Sequence, residues 1–448
     1  MAGNNSLDSF TKNRKLIIIA GVAILAVVIL MLGNALGFQA GGRKQVAKAN
    51  LVVWGVWDET DTMTKLGGDF RKTYPNVSIE YRKFKPQDYE TELINALAEG
   101  RGPDIFAIEH TWLGKHKNKL APMSEEVMTI KDYKDRFVDV VGQDFIDDGK
   151  IYGFPLYTDT LALLYNKDAF NDAGIANPPA TWEELQKIVP ELTKIDQFGN
   201  ITQAGVALGT GDNINRSPDI LMSLMLQTGA QFTDPKDSSR ITFSQGKNIN
   251  GQNIFPGTLA LTYYTDFANP RKSVYTWNST LNNSIDAFYE REVAMIFGYS
   301  YQIEAIKAKA PRLNFAVAPL PQVSLDSGLA NYANYWGYGV SGQSKYPKEA
   351  FAFLKSATEK ENAQEYFLKT KRPTARRDLV DTQSQDSDYG VFVKQILQAK
   401  TWRQPDNNSV DKIFIESINS VNSGLLDYTK AISQAESEIQ TLADNVKR

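Results

Sequence analysis

Between residues 51 and 108 apolar runs alternate with amphipathic stretches, and that order constrains the fold more than any other feature of the chain. Residues 51–57 (LVVWGVW) form a β-rich apolar run, and Asp61 is placed to cap a helix that continues to Thr73 before Pro75 stops it. Residues 77–82 alternate as a strand does. After Pro86 the apolar residues Tyr89, Leu93 and Leu97 recur at helical spacing, with Gly100 as a C-terminal stop. Residues 104–108 (DIFAI) close the series. The order β-α-β-α-β, assembled by right-handed crossovers, predicts a parallel sheet and hence an α/β lobe.

Ligands of open parallel sheets bind outside the carboxyl ends of the strands. Beyond the first strand come Trp57, Asp58 and Glu59, and beyond the third come Glu109, His110 and Trp112, so indole rings and carboxylates gather at one rim. At 448 residues the chain exceeds the ~250–300 at which a single core stops growing, which predicts two globular lobes. A second lobe is expected from about residue 151. It carries a helix start at 181–184 (TWEE), a helix around 218–227, a polar loop at 238–253, a helix at 259–269 and a strand at 292–297 (EVAMIF). Residues 337–342 (GYGVSG) match G-x-G-x-x-G by spacing, but the stretch KYP at 345–347 separates them from any helical pattern, so no dinucleotide site is assigned.

Composition excludes several functions. Net charge is −3, which leaves no broad cationic face for nucleic acid. Cysteine is absent, which removes disulfides, thiolate chemistry and a lipid-bearing cysteine, and the two histidines are poor material for a metal site or a relay triad. No catalytic residue, metal or cofactor is assigned. Residues 16–36 are almost wholly apolar and reach the ~20 residues that span a bilayer. They are longer than the ~7–15 apolar residues of a secretory signal, so a retained single-pass helix is expected. Lys12, Arg14 and Lys15 abut it, which places residues 1–15 in the cytoplasm, 37–50 as a tether and the remainder outside the cell.

Several segments together resemble the sugar-type extracellular solute-binding proteins of ABC importers, the family that includes maltose-binding protein. They are VVWGVWD, GPDIFAIEHTWL, YGFPLYTDTLALLYNKDAF followed by PPATWEEL, VAMIFGYSYQI, and YWGYGVSGQSKYPKEAFAFLK. The resemblance implies a two-lobed, hinged α/β fold of the periplasmic-binding-protein type II. It puts 51–157 and about 315–354 in the first lobe, about 160–314 and 355–448 in the second, and the first crossing near 158–161. It also implies capture of a sugar or oligosaccharide by lobe closure and delivery to permease subunits. The family's usual lipidated cysteine or cleaved signal is replaced here by the apolar helix.

A sugar presents flat C–H faces and a ring of hydroxyls, so its site needs aromatic platforms and polar side chains. Trp57, Trp112, Trp336 and Trp402 are the candidate platforms. Asp58, Glu109 and Asp159 are the candidate acceptors, Asp159 from the hinge side. Asn213 and Asn215 occupy the corresponding loop of the second lobe, with Arg216 beside them placed to bridge the lobes. Tyr299 and Tyr301 follow a Gly298 turn and point to one side by alternation, so at least one reaches the cleft. Two other readings use the same residues. A membrane-anchored glycoside hydrolase would draw a carboxylate pair from Asp58, Glu109 and Asp159, and an iron(III)-binding protein of the same fold would use Tyr299 and Tyr301.

Overall fold

The computed structural model describes residues 48–249, 251–326 and 328–446. The expected membrane helix at 16–36 and the segment 1–15 before it lie outside the described residues. Among the described residues no helix is long and apolar enough to cross a membrane. From Ala49 onward the chain forms one unit built on two five-stranded sheets. Their strands, in chain order, are β1 (Ala49–Gly55), β2 (Val77–Lys83), β3 (Ile105–Glu109), β4 (Phe154–Pro155), β5 (Ala162–Asn166), β6 (Lys194–Ile195), β7 (Ile201–Val206), β8 (Val293–Gly298), β9 (Phe315–Pro319) and β10 (Trp336–Val340). Residues 49 and 50, expected in the tether, already belong to β1.

The first sheet has the order β2-β1-β3-β10-β4, with β1 parallel to both β2 and β3. A strand inside a parallel sheet is covered on both faces and reads as a continuous apolar run; Leu51 and Val53 are fully buried. Helices α1 (Thr60–Thr73) and α2 (Pro86–Ala98) make the two crossovers. Pro86 sits in the first turn of α2, where its missing N–H leaves nothing unpaired. Asp61 does not cap α1. Glu59 holds the N-cap position, and Asp61 lies in the first turn, where its charge meets the positive end of the helix and pairs with Lys369 at 2.9 Å. The glycine motif is strand β10, antiparallel to β3 and β4. A Cβ on Gly337 would lie 2.8 Å from the Phe145 ring and 3.2 Å from the Phe154 carbonyl oxygen, so the glycine lets neighbours close in on the strand.

The second sheet is mixed, in the order β9-β5-β8-β7-β6, with β8 parallel to β7 and antiparallel to β5. Thr181 and Glu184 form a capping box that starts α3 (Trp182–Leu192), and Trp182 is buried with its Nε1–H donated to Gln227 Oε1 at 2.6 Å. Helices α4 (Ser217–Gln227) and α5 (Pro256–Asp266) pack together on this side. The stretch expected to be loop at 238–253 carries a short antiparallel hairpin, Lys247–Ile249 with Gln252–Ile254.

Two expected boundaries move. Residues 315–319, expected to re-enter the first lobe, instead form edge strand β9 along β5, and the chain returns with β10. The helices α6 (Pro347–Ala357) and α7 (Lys360–Thr370) both pack on α1: Phe353 meets Phe70 at 5.5 Å between ring centres, and Glu365 pairs with Lys65. The chain therefore leaves the first sheet after Thr370, not at residue 355. A short apolar run reads the same at the edge of one sheet as in the middle of another; only its partner strand distinguishes them. The last helices, α8 (Asn407–Asn422) and α9 (Tyr428–Val446), close the second core with Val410, Phe414, Ile418, Ile432 and Ile439.

Three segments cross between the sheets, at 156–161, 320–335 and beyond 370, and they are tied to one another. Tyr157 bridges to Thr374 and Thr160 to Ala333, both antiparallel, while Asn331–Tyr332 pairs in parallel with Ala399–Lys400. Asn331 and Gln395 donate side-chain bonds to the Leu161 carbonyl at 2.7 and 3.1 Å.

Candidate functional site

A cavity of about 190 Å³ opens where the crossing segments meet the strand ends. Trp57, two residues beyond β1, and Trp336, the first residue of β10, form one wall, their rings 6.2 Å apart and 77° to each other. Trp336 is backed by Trp112 at 5.0 Å and Tyr89 at 5.9 Å. Tyr301, just past β8 and half exposed, faces them from the second sheet with its ring stacked on buried Tyr299. Tyr157 and Asp159 enter from the first crossing, Asn334 from the second and Arg372 from the third, while Arg216 enters from the start of α4.

The polar groups are held in place by partners behind the wall. Asp58 is buried, and its carboxylate accepts from Tyr366 at 2.5 Å, Tyr338 at 2.6 Å and Arg372 at 3.2 Å. Arg372 also donates to the Trp57 carbonyl at 2.8 Å and lies over the Tyr157 ring at 4.8 Å. The Asp58 network thus aims Trp57 and Arg372 at the cavity. Across from it, Tyr299 donates its hydroxyl to Asp219 at 2.7 Å, and Arg216 lies 3.8 Å from that carboxylate and 5.6 Å from the Tyr299 ring centre. Arg216 has a left-handed backbone, φ 62°, at the N-cap of α4. Asp159 accepts from Thr160 N at 2.9 Å and from Ser300 N and Oγ at 3.0 and 2.6 Å. Burial pushes Asp159 up to about 7, against the lowering effect of those bonds.

Of the residues selected from sequence, Trp57, Asp159, Arg216, Tyr301 and Trp336 line this cavity. The others do not. Asp58, Trp112 and Tyr299 stand directly behind it. Glu109 is buried, accepting from Thr111 N at 2.8 Å and facing His110 Nδ1 at 2.5 Å. His110 is raised: burial opposes its charge, but Glu109 outweighs burial. Asn215 accepts from Gln302 at 3.2 Å. Asn213 is occupied by Trp277 and the carbonyls of Asn278 and Leu281, beside a separate 790 Å³ depression that has no aromatic residue in its wall. Trp402 is buried and stacked on Phe232 at 4.9 Å, in the second core. Its loop-like sequence hid a short strand, Ala399–Lys400, that draws the ring inward. Tyr157, Asn334 and Arg372 carried no local signal; they reach the cavity because three crossings converge.

The sequence model of the family described as Bacterial extracellular solute-binding protein matches residues 57–364, well over half of the chain. The chain belongs to that family. Among curated relatives, this solute-binding protein is 23% identical over 363 residues to the multiple sugar-binding protein of Streptococcus mutans, covering 80% of the chain and 82% of the relative. It is 21% identical over 421 residues to the galactooligosaccharide-binding protein of Bacillus subtilis, covering 92% and 95%. Among solved structures, the cyclic alpha-maltosyl-1,6-maltose binding protein from Arthrobacter globiformis shares the fold with a TM-score of 0.73 at 20% identity, covering 88% of this chain and 99% of that one.

Proposed function

We propose that this solute-binding protein captures a sugar outside the cell and hands it to the permease of an ABC importer. One observation carries the reading. Indole and phenol rings from both sheets face one cavity, among Arg216, Asn334, Arg372 and Asp159, which is the set that a ring of C–H faces and hydroxyls requires. The sugar-binding relatives support the same ligand class. Because both sheets and all three crossings contribute to the wall, a guest makes its full set of contacts only when the two sides are together, so binding favours the closed arrangement. The apolar run at 16–36 would hold the receptor beside its permease and raise its effective concentration there.

The two alternatives find less support. Of the three carboxylates a hydrolase would draw on, Asp58 and Glu109 are committed to protein partners and only Asp159 lines the cavity. Of the two tyrosines an iron site would use, Tyr299 gives its hydroxyl to Asp219.

Thermal unfolding of the full chain against sugars, amino acids and iron(III) tests the reading, since a ligand at 100 times its Kd adds about 2.7 kcal/mol to the folded state. The midpoint should rise with at least one sugar, and the sugar should be recovered uncleaved. Trp57→Ala and Trp336→Ala should each weaken that sugar about tenfold, from the ~0.5–1.5 kcal/mol of ring contact together with lost burial. A midpoint that moves only with iron(III), or a hydrolysed sugar, would remove the proposal.

A further inference from the structure

The cavity is small, and protein fills the space beyond it along the strand ends and at the hinge. Its 190 Å³ falls below the ~300–1,000 Å³ of pockets for drug-sized ligands. The room is that of a small guest. A second ring would extend past Trp336 along the strand ends, and that route is filled. Trp112 packs on Trp336, its Nε1–H donates to Asn407 Oδ1 of α8 at 3.0 Å, and Lys115 reaches Asp406 at 2.5 Å. Arg372, behind Tyr157, closes the hinge end.

Charge narrows the guest further. Each cation on the wall already faces a carboxylate, Arg372 with Asp58 at 3.2 Å and Arg216 with Asp219 at 3.8 Å. Asp159, the carboxyl group of the wall, is buried with both oxygens hydrogen-bonded. An ionic guest would enter this cavity without an unmatched counter-charge, and burying an unpaired ion costs several kcal/mol. The paired arginines and the uncharged Asn334 amide still donate N–H groups to hydroxyls.

We infer that the site takes one uncharged sugar ring, held against the wall made by the perpendicular indoles of Trp57 and Trp336, and rejects linked and acidic sugars. This rests on reading the cavity as a sugar site.

Isothermal titration of the full chain in detergent separates the two claims. The panel is neutral pentoses and hexoses, their di- and trisaccharides, and the matching uronic acids and sugar phosphates. At least one neutral monosaccharide should bind, at least tenfold more tightly than any oligosaccharide that contains it and than its uronic acid. Trp57→Ala, a change at a half-exposed ring, should weaken that binding about tenfold. A di- or trisaccharide, or an acidic sugar, that binds as tightly as every neutral single ring overturns the inference and leaves sugar capture standing. Monosaccharide binding indifferent to Trp57→Ala also overturns it, by locating the sugar elsewhere. No heat from any sugar overturns both.

Discussion

Asp159 shows how one side chain can belong to both fold and site. It lies on the first crossing, is hydrogen-bonded to Ser300 beyond β8, and lines the cavity near Arg372. Its folded value of about 7 stands above the ~3.9 of an unfolded aspartate, so the folded state holds the extra proton between those values. Stability therefore falls as pH rises from about 4 to about 7, by at most about 1.4 kcal/mol per unit, and is level above that window. Urea midpoints between pH 5 and pH 8 should show this slope in the wild type and a shallower one in Asp159→Asn; equal slopes would show that another group titrates there. The site was half legible at this scale. Trp57 follows from the rule that ligands sit beyond strand ends and Trp336 from its place in the family resemblance, whereas Arg372 lies after a helix in a sequence, KTKRPT, that resembles any exposed basic turn.

At the scale of the element, β10 depends on Gly337 and Gly339, where an added Cβ would press on the Phe145 ring and on the Leu120 side chain respectively. Gly337→Ala would press a methyl group against the Phe145 ring and the Phe154 carbonyl, neither of which can swing away inside the sheet. Such overpacking costs about 1–3 kcal/mol, so the urea midpoint should fall with the slope m unchanged. An unchanged midpoint would mean that the sheet relaxes around the methyl. The elements of the first sheet were legible because parallel strands and amphipathic helices carry contrasting periods, as at 51–55 and 86–98. The hairpin Lys247–Ile249 with Gln252–Ile254 and the edge strand β9 were not, because a few residues of polar or apolar chain carry no period of their own.

For the whole molecule the question is what holds the two sides together. Opposite the crossings, the contacts are Trp112 with Asn407 and Lys115 with Asp406, between the segment after β3 and the start of α8. The Lys115 pair is about a quarter exposed, which limits its worth to ~0–1 kcal/mol. Lys115→Ala and Asn407→Ala should therefore speed release of the bound sugar up to about fivefold, read by stopped-flow, with unfolding little changed. Release at the wild-type rate in both would show that these contacts do not govern opening. That two sheets exist was legible from length and from the order of apolar runs. Where the chain passes between them was not, since α7 has the same amphipathic pattern whichever sheet it covers.

The indole of Trp112 gives this arrangement an optical consequence. Its N–H bond to Asn407 spans the gap between the two halves, and its ring touches Trp336 at the edge of the guest chamber. Under the proposed function, opening would strip the bond and wet the ring at once, so the native emission of the unlabelled chain would carry a colour signal for each cycle of capture and release.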